Sequence, residues 1–321
     1  MRSAQRRAAL VTGGAGFIGG HLVERLVADG WQVRVLDDFS TGRESNLERV
    51  ADRIDLLRGD VRDTRTVARA VEGVEVVFHQ AAIASVPRSV ADPIGTHAVN
   101  TLGTLQVLEA ARDAGVRRVV YAASCAIYGD GSELPKRETL PPRPLSPYAL
   151  QKHAGELTCR LYARLHGLET VALRYFNVYG PRQDPNGDYA AVIPRFITAC
   201  LAGAAPRVYG DGEQTRDFVA VRDVVAANLL AAEAEKASGC VCNVASGRET
   251  SLNELLALVR EHTGATAAAR YDPPREGDVR RSVACLDHAQ ESLGYAPRVA
   301  LREGLVDTIA SFAAAARGSF S

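Results

Sequence analysis

Residues 10–20 read LVTGGAGFIGG, and few stretches constrain a fold more tightly. An apolar run ends in glycines at Gly13, Gly16 and Gly19. A segment of helical period comes next, with Ile18, Leu22, Leu26 and Val27 on one face and Gly30 placed as a C-terminal stop. Strand, glycine turn, helix is the arrangement in which backbone approaches a pyrophosphate closely. The helix N-terminus there offers free N–H groups and a partial positive charge. A glycine-rich turn with no ligand is the competing reading of these residues taken alone. The loop and helix start, Gly13, Gly16, Phe17, Ile18 and Gly19, are candidate cofactor contacts.

The strands after the loop favour the dinucleotide. QVRVLDD is a second strand ending in Asp37 and Asp38. A carboxylate at that end accepts from an adenosine ribose hydroxyl and repels a 2′-phosphate, which favours NAD over NADP. RIDLLRGDV is a third strand, and Asp60 and Val61 at its end are adenine-side candidates, with a helix N-cap as the plain alternative for Asp60. VEVVFHQAA is a fourth strand that brings Ala81 to the same edge. His79 in it reads as a packed strand-end residue. A long amphipathic helix over NTLGTLQVLEAARDAG and a strand RRVVYAAS complete the rhythm. Strands alternating with helices predict a parallel, doubly wound α/β sheet of the Rossmann-like kind. The boundaries drawn are 1–177 for the dinucleotide domain and 178–321 for a smaller, discontinuous α/β substrate domain. Segments near 215–245 return to the first. Helices are expected at about 192–202, 221–235, 251–263 and 302–316.

Composition narrows the partners. Lys+Arg and Asp+Glu both number 38, for a formal charge of zero, and no basic stripe is interleaved with aromatics, so nucleic acid is not an expected partner. No apolar run reaches about 18 residues, so no membrane helix is expected. Glycines interrupt the N-terminal apolar stretch too early for a signal peptide, which gives the cytoplasm as the expected compartment. Six cysteines match no zinc spacing, and no metal is expected.

The chain has three lysines, Lys136, Lys152 and Lys236. One of them lies four residues after Tyr148 in SPYALQK, on one helical face with it. Ser124 ends strand RRVVYAAS, at the carboxyl edge where doubly wound sheets bind ligands. A phenol of pKa about 10 is a poor base at neutral pH. A neighbouring ammonium and a cationic nicotinamide would lower it by about 3 units for roughly 4 kcal/mol. An exposed helix pair is the plain alternative. Ser124, Tyr148 and Lys152 are the candidate catalytic group.

TGGAGFIGG, Ser124 with Tyr148-x-x-x-Lys152, LRYFNVYGPRQ and GDGEQTRDFVAVRDV occur in that order. Together they resemble the extended short-chain dehydrogenase/reductase superfamily and, within it, the nucleoside-diphosphate-sugar 4-epimerases. The resemblance implies bound NAD, a UDP-sugar substrate and inversion at C4 through a 4-keto sugar. Tyr148 would act as base, with Ser124 hydrogen-bonded to the sugar. It further implies cofactor contacts at Asn100 and Tyr175. Substrate contacts are implied at Ala84, Cys125, Ala126, Asn177, Ala191, Val192, Arg216, Arg275, Asp278 and Ser282. Ser282 falls where a bulky tyrosine stands in non-acetylated enzymes. Together with Ala84 and Ala191 it points to UDP-N-acetylglucosamine and UDP-N-acetylgalactosamine, with UDP-glucose/UDP-galactose also open.

Three alternatives stay open. The first is a UDP-glucuronate 4-epimerase, with Arg88 meeting the carboxylate. The second is an atypical dehydratase, in which Cys125 replaces the Asp-Glu pair that the sister dehydratases carry and that SCAIYG lacks. The third is a non-catalytic dinucleotide-binding protein. Relatives often pair through two helices, so a homodimer is expected, with Leu102, Leu105, Leu108, Leu161 and Leu165 on the helix faces available for it, although the same pattern fits a monomer core.

Overall fold

A computed structural model describes residues 7–185, 191–274 and 279–318. Strands β1 (Ala8–Thr12), β2 (Gln32–Asp37), β3 (Ile54–Arg58), β4 (Val76–His79), β5 (Arg118–Ser124), β6 (Glu169–Tyr175) and β7 (Cys240–Val244) form one sheet. Their order is β7-β6-β5-β4-β1-β2-β3, and every adjacent pair is parallel. This is the sheet that the strand–helix rhythm predicts. The chain reverses direction of growth between β1 and β4. There the helices leave on opposite faces and a crevice opens beyond the carboxyl ends.

Both faces of the sheet are covered. Leu22 and Leu26 of the helix Phe17–Ala28 pack with Val224 and Ala231 of the helix Val221–Glu233 on one side. Val67, Val107, Leu108 and Cys159, from the helices Thr64–Val71, Thr104–Asp113 and Pro147–His166, cover the other. The central strands are therefore buried on both faces, which is why β4 reads VVFH without alternation. A third apolar cluster lies apart from the sheet. Ile193, Phe196 and Ile197 of the helix Val192–Leu201 meet Leu255, Leu256 and Val259 of Leu252–Thr263 and Leu305 and Ile309 of Leu301–Gly318. The four helices expected in this half lie within two residues of their forecast ends.

The second half is built partly from short ladders. Asn177–Tyr179 pairs in parallel with Phe218–Ala220 just beyond β6. Arg207–Tyr209 pairs with Arg270–Asp272. These strands of two or three residues are too short to show a period. Two helices of five and six residues, Val86–Ala91 and Pro93–His97, also escape periodicity, yet each carries its own start signal. Ser85 and Asp92 cap them, accepting from the amides of Arg88 and Gly95. One assignment needs correction: Leu108 is fully buried against the sheet. The other four leucines named for pairing remain on the surface, joined by Leu150 and Leu157.

Candidate active site

The loop after β1 is built so that only glycine fits where the chain doubles back. Gly13 has φ +68°, and a Cβ there would lie 2.7 Å from the backbone of Ala81. A Cβ on Gly19 would run into the carbonyl oxygen of Gly13. Asp37, at the end of β2, is buried and accepts from the amides of Ala15 and Phe39, each at 2.8 Å. Its carboxylate thus ties the second strand to the glycine loop and leaves further lone pairs for a ribose hydroxyl. Burial, the largest cause, raises its pKa. Asp38 points outward and accepts from Ser40 at 2.9 Å. Asp60 is held by Arg62 at 2.8 Å, which lowers its pKa, and Val61 is buried beside it. Asp63, three residues on, and not Asp60, caps the next helix.

The helix Pro147–His166 carries the Tyr–Lys pair. Ser146 caps it by accepting from Ala149 at 3.2 Å, and Pro147 takes the first position, where no N–H is needed. Tyr148 therefore sits in the first turn. Its amide donates to the buried Ser89 hydroxyl at 3.0 Å, and its side chain lines the same cavity as Ser124. Lys152 is one turn deeper, 3% exposed. Its ammonium donates to the Ala122 carbonyl at 2.7 Å and lies 5.1 Å from the Tyr121 ring centre. The expected lowering of the phenol pKa is not what the protein groups produce. Burial pushes Tyr148 up to about 12, against the lowering pull of Ser124, and pushes Lys152 down to about 8. The nicotinamide charge expected from the sequence would act against this desolvation.

His79 is a packed residue. Its ring bridges Thr12 at 2.7 Å and Thr104 at 3.0 Å, and burial pushes its pKa down to about 3. Because the Thr104 hydroxyl donates to the Asn100 carbonyl, it accepts from Nε2–H. That leaves Nδ1 to accept from Thr12. Asn100 is spent within the protein. Its amide spans the backbone of Ile83 and the Gln151 side chain, at 2.8–3.2 Å. It braces the catalytic helix from behind. Tyr175 lies beside Ser124 on β6, its hydroxyl held by Gln80 at 3.1 Å and Asn228 at 2.8 Å.

Beyond these residues lies a cavity of about 520 Å³. Phe17, Ile18, Ser124, Tyr148 and Tyr175 line its floor, and Ala84, Asn177, Ala191, Val192 and Arg216 its walls. The structure thus brings ten of the predicted residues around one space. Cys125, Ala126 and Ser282 do not reach its lining. Burial pushes Cys125 up to about 12. Ser282 is only half-buried, outside the place foreseen for it. Arg275 and Asp278 lie outside the described residues. Gln183, Arg195, Arg207 and Tyr209 line the cavity without having been foreseen. Gln183 ends the LRYFNVYGPRQ motif, and its Oε1 is buried with no hydrogen-bond partner. Arg207 is paired with Asp272 at 2.7 Å, and Arg195 lies over the Tyr209 ring.

These features define a dinucleotide-dependent enzyme. Comparison with known proteins places it more closely. Residues 9–245 match the NAD dependent epimerase/dehydratase family. A UDP-glucose 4-epimerase of Mycolicibacterium smegmatis is 44% identical over 307 residues, 94% of this chain and 97% of that one. The UDP-glucose 4-epimerase of Thermotoga maritima, solved with UDP-glucose, superposes with a TM-score of 0.91 at 41% identity, covering 98% of this chain and 100% of that one. A UDP-N-acetylglucosamine 4-epimerase of Methanobrevibacter ruminantium, solved with UDP-N-acetylmuramic acid, gives 0.93 at 36% identity, covering 97% and 99%. The chain belongs to the NAD-dependent epimerase/dehydratase family and is an NAD-dependent enzyme of the sugar-nucleotide 4-epimerase type.

Proposed function

We propose that this chain inverts C4 of a UDP-hexose, acting on UDP-N-acetylglucosamine and UDP-N-acetylgalactosamine and also on UDP-glucose and UDP-galactose. The observation that carries the reading is one cavity lined by Phe17 and Ile18 of the glycine-loop helix, by Ser124 and Tyr148, and by Arg216. NAD, when bound, supplies the hydride acceptor and donor at C4. Gly13, Gly16 and Gly19 admit its pyrophosphate, and Asp37 takes its ribose hydroxyl. Asp60 and Val61 border the adenine. Lys152, a compact donor one turn below Tyr148, holds the nicotinamide ribose, and Asn100 and Tyr175 brace that end.

Tyr148 takes the proton of the sugar 4-hydroxyl and returns it, while Ser124 donates to the same oxygen. Burial raises the Tyr148 pKa in the chain alone, and a cationic nicotinamide beside the phenol would favour the phenolate. Arg216, its Nη1 anchored on the Thr215 and Val279 carbonyls, offers its charge to the diphosphate, and the helix Val192–Leu201 offers its N-terminus, both suited to an anion. Arg275 and Asp278 are assigned to the diphosphate and the uridine ribose. Asn177 and Gln183 face the sugar. Small Ala84 and Ala191 leave room for an acetamido group.

Elimination instead of epimerisation needs an acid and a base next to Ser124. Cys125 is held near 12 and Ala126 has no proton to give. We also assign the chain to the cytoplasm, with 1–177 and 178–321 as its two domains. It forms a homodimer through the surface leucines of the helices Thr104–Asp113 and Pro147–His166. Among the described residues no helix is long and apolar enough to cross a membrane.

Proton NMR of purified protein with UDP-N-acetylglucosamine, and separately with UDP-glucose, tests the reading. Galacto-configured products at equilibrium support it. A 4-keto-6-deoxy product would replace it with elimination.

A further inference from the structure

Arg182 is one of two non-glycine residues with positive φ among those described, at +66°. A side chain other than glycine holds that conformation only when its surroundings fix it. Here four contacts do so. Nη1 donates to Glu24 Oε1 at 2.9 Å and to the Asn46 carbonyl at 3.0 Å. Nη2 donates to Glu24 Oε2 at 2.8 Å and lies 3.0 Å from His21 Nδ1. An arginine has no proton-accepting atom, so His21 Nδ1 accepts. His21 Nε2–H then donates to the Pro181 carbonyl at 2.9 Å. The histidine is therefore the neutral Nε2–H tautomer, and burial followed by the charge of Arg182 lowers its pKa.

The partners matter more than the number of bonds. Phe17, His21 and Glu24 lie on one face of the first helix, with the Phe17 and His21 rings 5.8 Å apart. Phe17 also lines the cavity. Asn46 donates its side-chain amide to the Ala15 carbonyl at 2.7 Å, inside the glycine loop. On the other side of Arg182, residues 177–183 supply Asn177, Val178 and Gln183 to the same cavity. One guanidinium thus ties the cofactor-side helix, the glycine loop and the sugar-side wall.

We infer that Arg182 is a positioning residue, a latch that fixes the spacing between the dinucleotide loop and the wall bearing Asn177 and Gln183. The inference rests on the proposed function for the identity of the sugar ligand and on geometry alone for the dinucleotide. An enzyme that retains its cofactor while a keto sugar turns over in the cavity needs those two walls held together. Loosening the latch lets both ligands leave faster without touching a reacting atom.

The test is Arg182→Gly, which removes the guanidinium and relieves the backbone at once, with Glu24→Gln as a milder partner. Melting temperature of R182G stays within a few degrees of wild type, because glycine adopts positive φ without strain. The KM for UDP-glucose and the dissociation rate of bound NAD each rise about tenfold, the scale of one lost charged hydrogen bond, and kcat changes far less. Glu24→Gln gives smaller shifts in the same directions. Wild-type KM and wild-type NAD release in R182G overturn the latch. A fall in kcat alone overturns it too. If the wild-type protein turns over no UDP-sugar, the functional reading fails, and the NAD dissociation rate still decides the latch.

Discussion

The floor of the cavity and its far wall are made differently. The floor comes from the first half of the chain, where each site residue ends a strand or starts a helix. Ser124 closes β5, Asp37 closes β2, and Tyr148 lies in the first turn after a Ser-Pro start. The far wall comes from strands of two or three residues, the helix start at Val192 and the stretch 179–183. Regular elements buried on both faces hold the reacting groups to a fixed geometry. Short ladders and side-chain latches shape the space that the ligand fills. The floor should therefore govern rate, and the wall affinity and choice of sugar.

The largest expected effect is on the floor. Tyr148→Phe keeps the ring and removes the base, so kcat should fall by about 10³-fold or more with KM nearly unchanged, in steady-state assays with UDP-glucose. A large rise in KM instead would break the division. Lys152→Met sharpens it from the side of stability. A buried ammonium whose pKa is depressed to about 8 binds its proton less readily in the folded state than in the unfolded one. Its cost is full below about pH 8 and fades as pH rises towards 10.5. The span is about 3 kcal/mol at most, offset by the bond to Ala122. K152M should lose activity about 10²-fold yet melt at or above the wild-type temperature at pH 7, with the advantage shrinking by pH 10 in calorimetry.

On the wall, Arg216→Ala should raise KM for UDP-sugars about 10- to 100-fold and leave kcat within a few-fold, because a charged donor to the diphosphate is lost equally from ground and transition states. The smallest effect is expected of Ser282→Tyr. Ser282 does not reach the cavity lining, so the ratio of UDP-N-acetylglucosamine to UDP-glucose turnover should change less than about twofold, within the scatter of surface substitutions. A selective loss of the acetylated substrate would put Ser282 in the pocket after all.

The same division explains what could be seen in the sequence. The glycine loop, Asp37 and the Tyr–Lys pair are legible because their spacing is dictated by one turn or one helix. The central strands β4 and β5 show as apolar runs because both faces are buried. Gln183, Arg195 and Tyr209 were hidden, since tertiary contacts, not spacing, bring them to the cavity. The contact of Asn100 with Gln151 was hidden for the same reason, since 51 residues separate them. Burial around Tyr148, which raises its pKa, is likewise a tertiary property that no spacing reveals.

The most direct test of the account is epimerisation carried out in deuterium oxide, with C4 of the recovered UDP-sugars examined by NMR and mass spectrometry. Transfer of the C4 hydrogen as hydride, with Tyr148 handling only the hydroxyl proton, predicts both epimers free of deuterium at C4. Deuterium at C4 would mean that this hydrogen leaves as a proton, and would contradict the roles given to Tyr148 and to the glycine-loop cofactor site together.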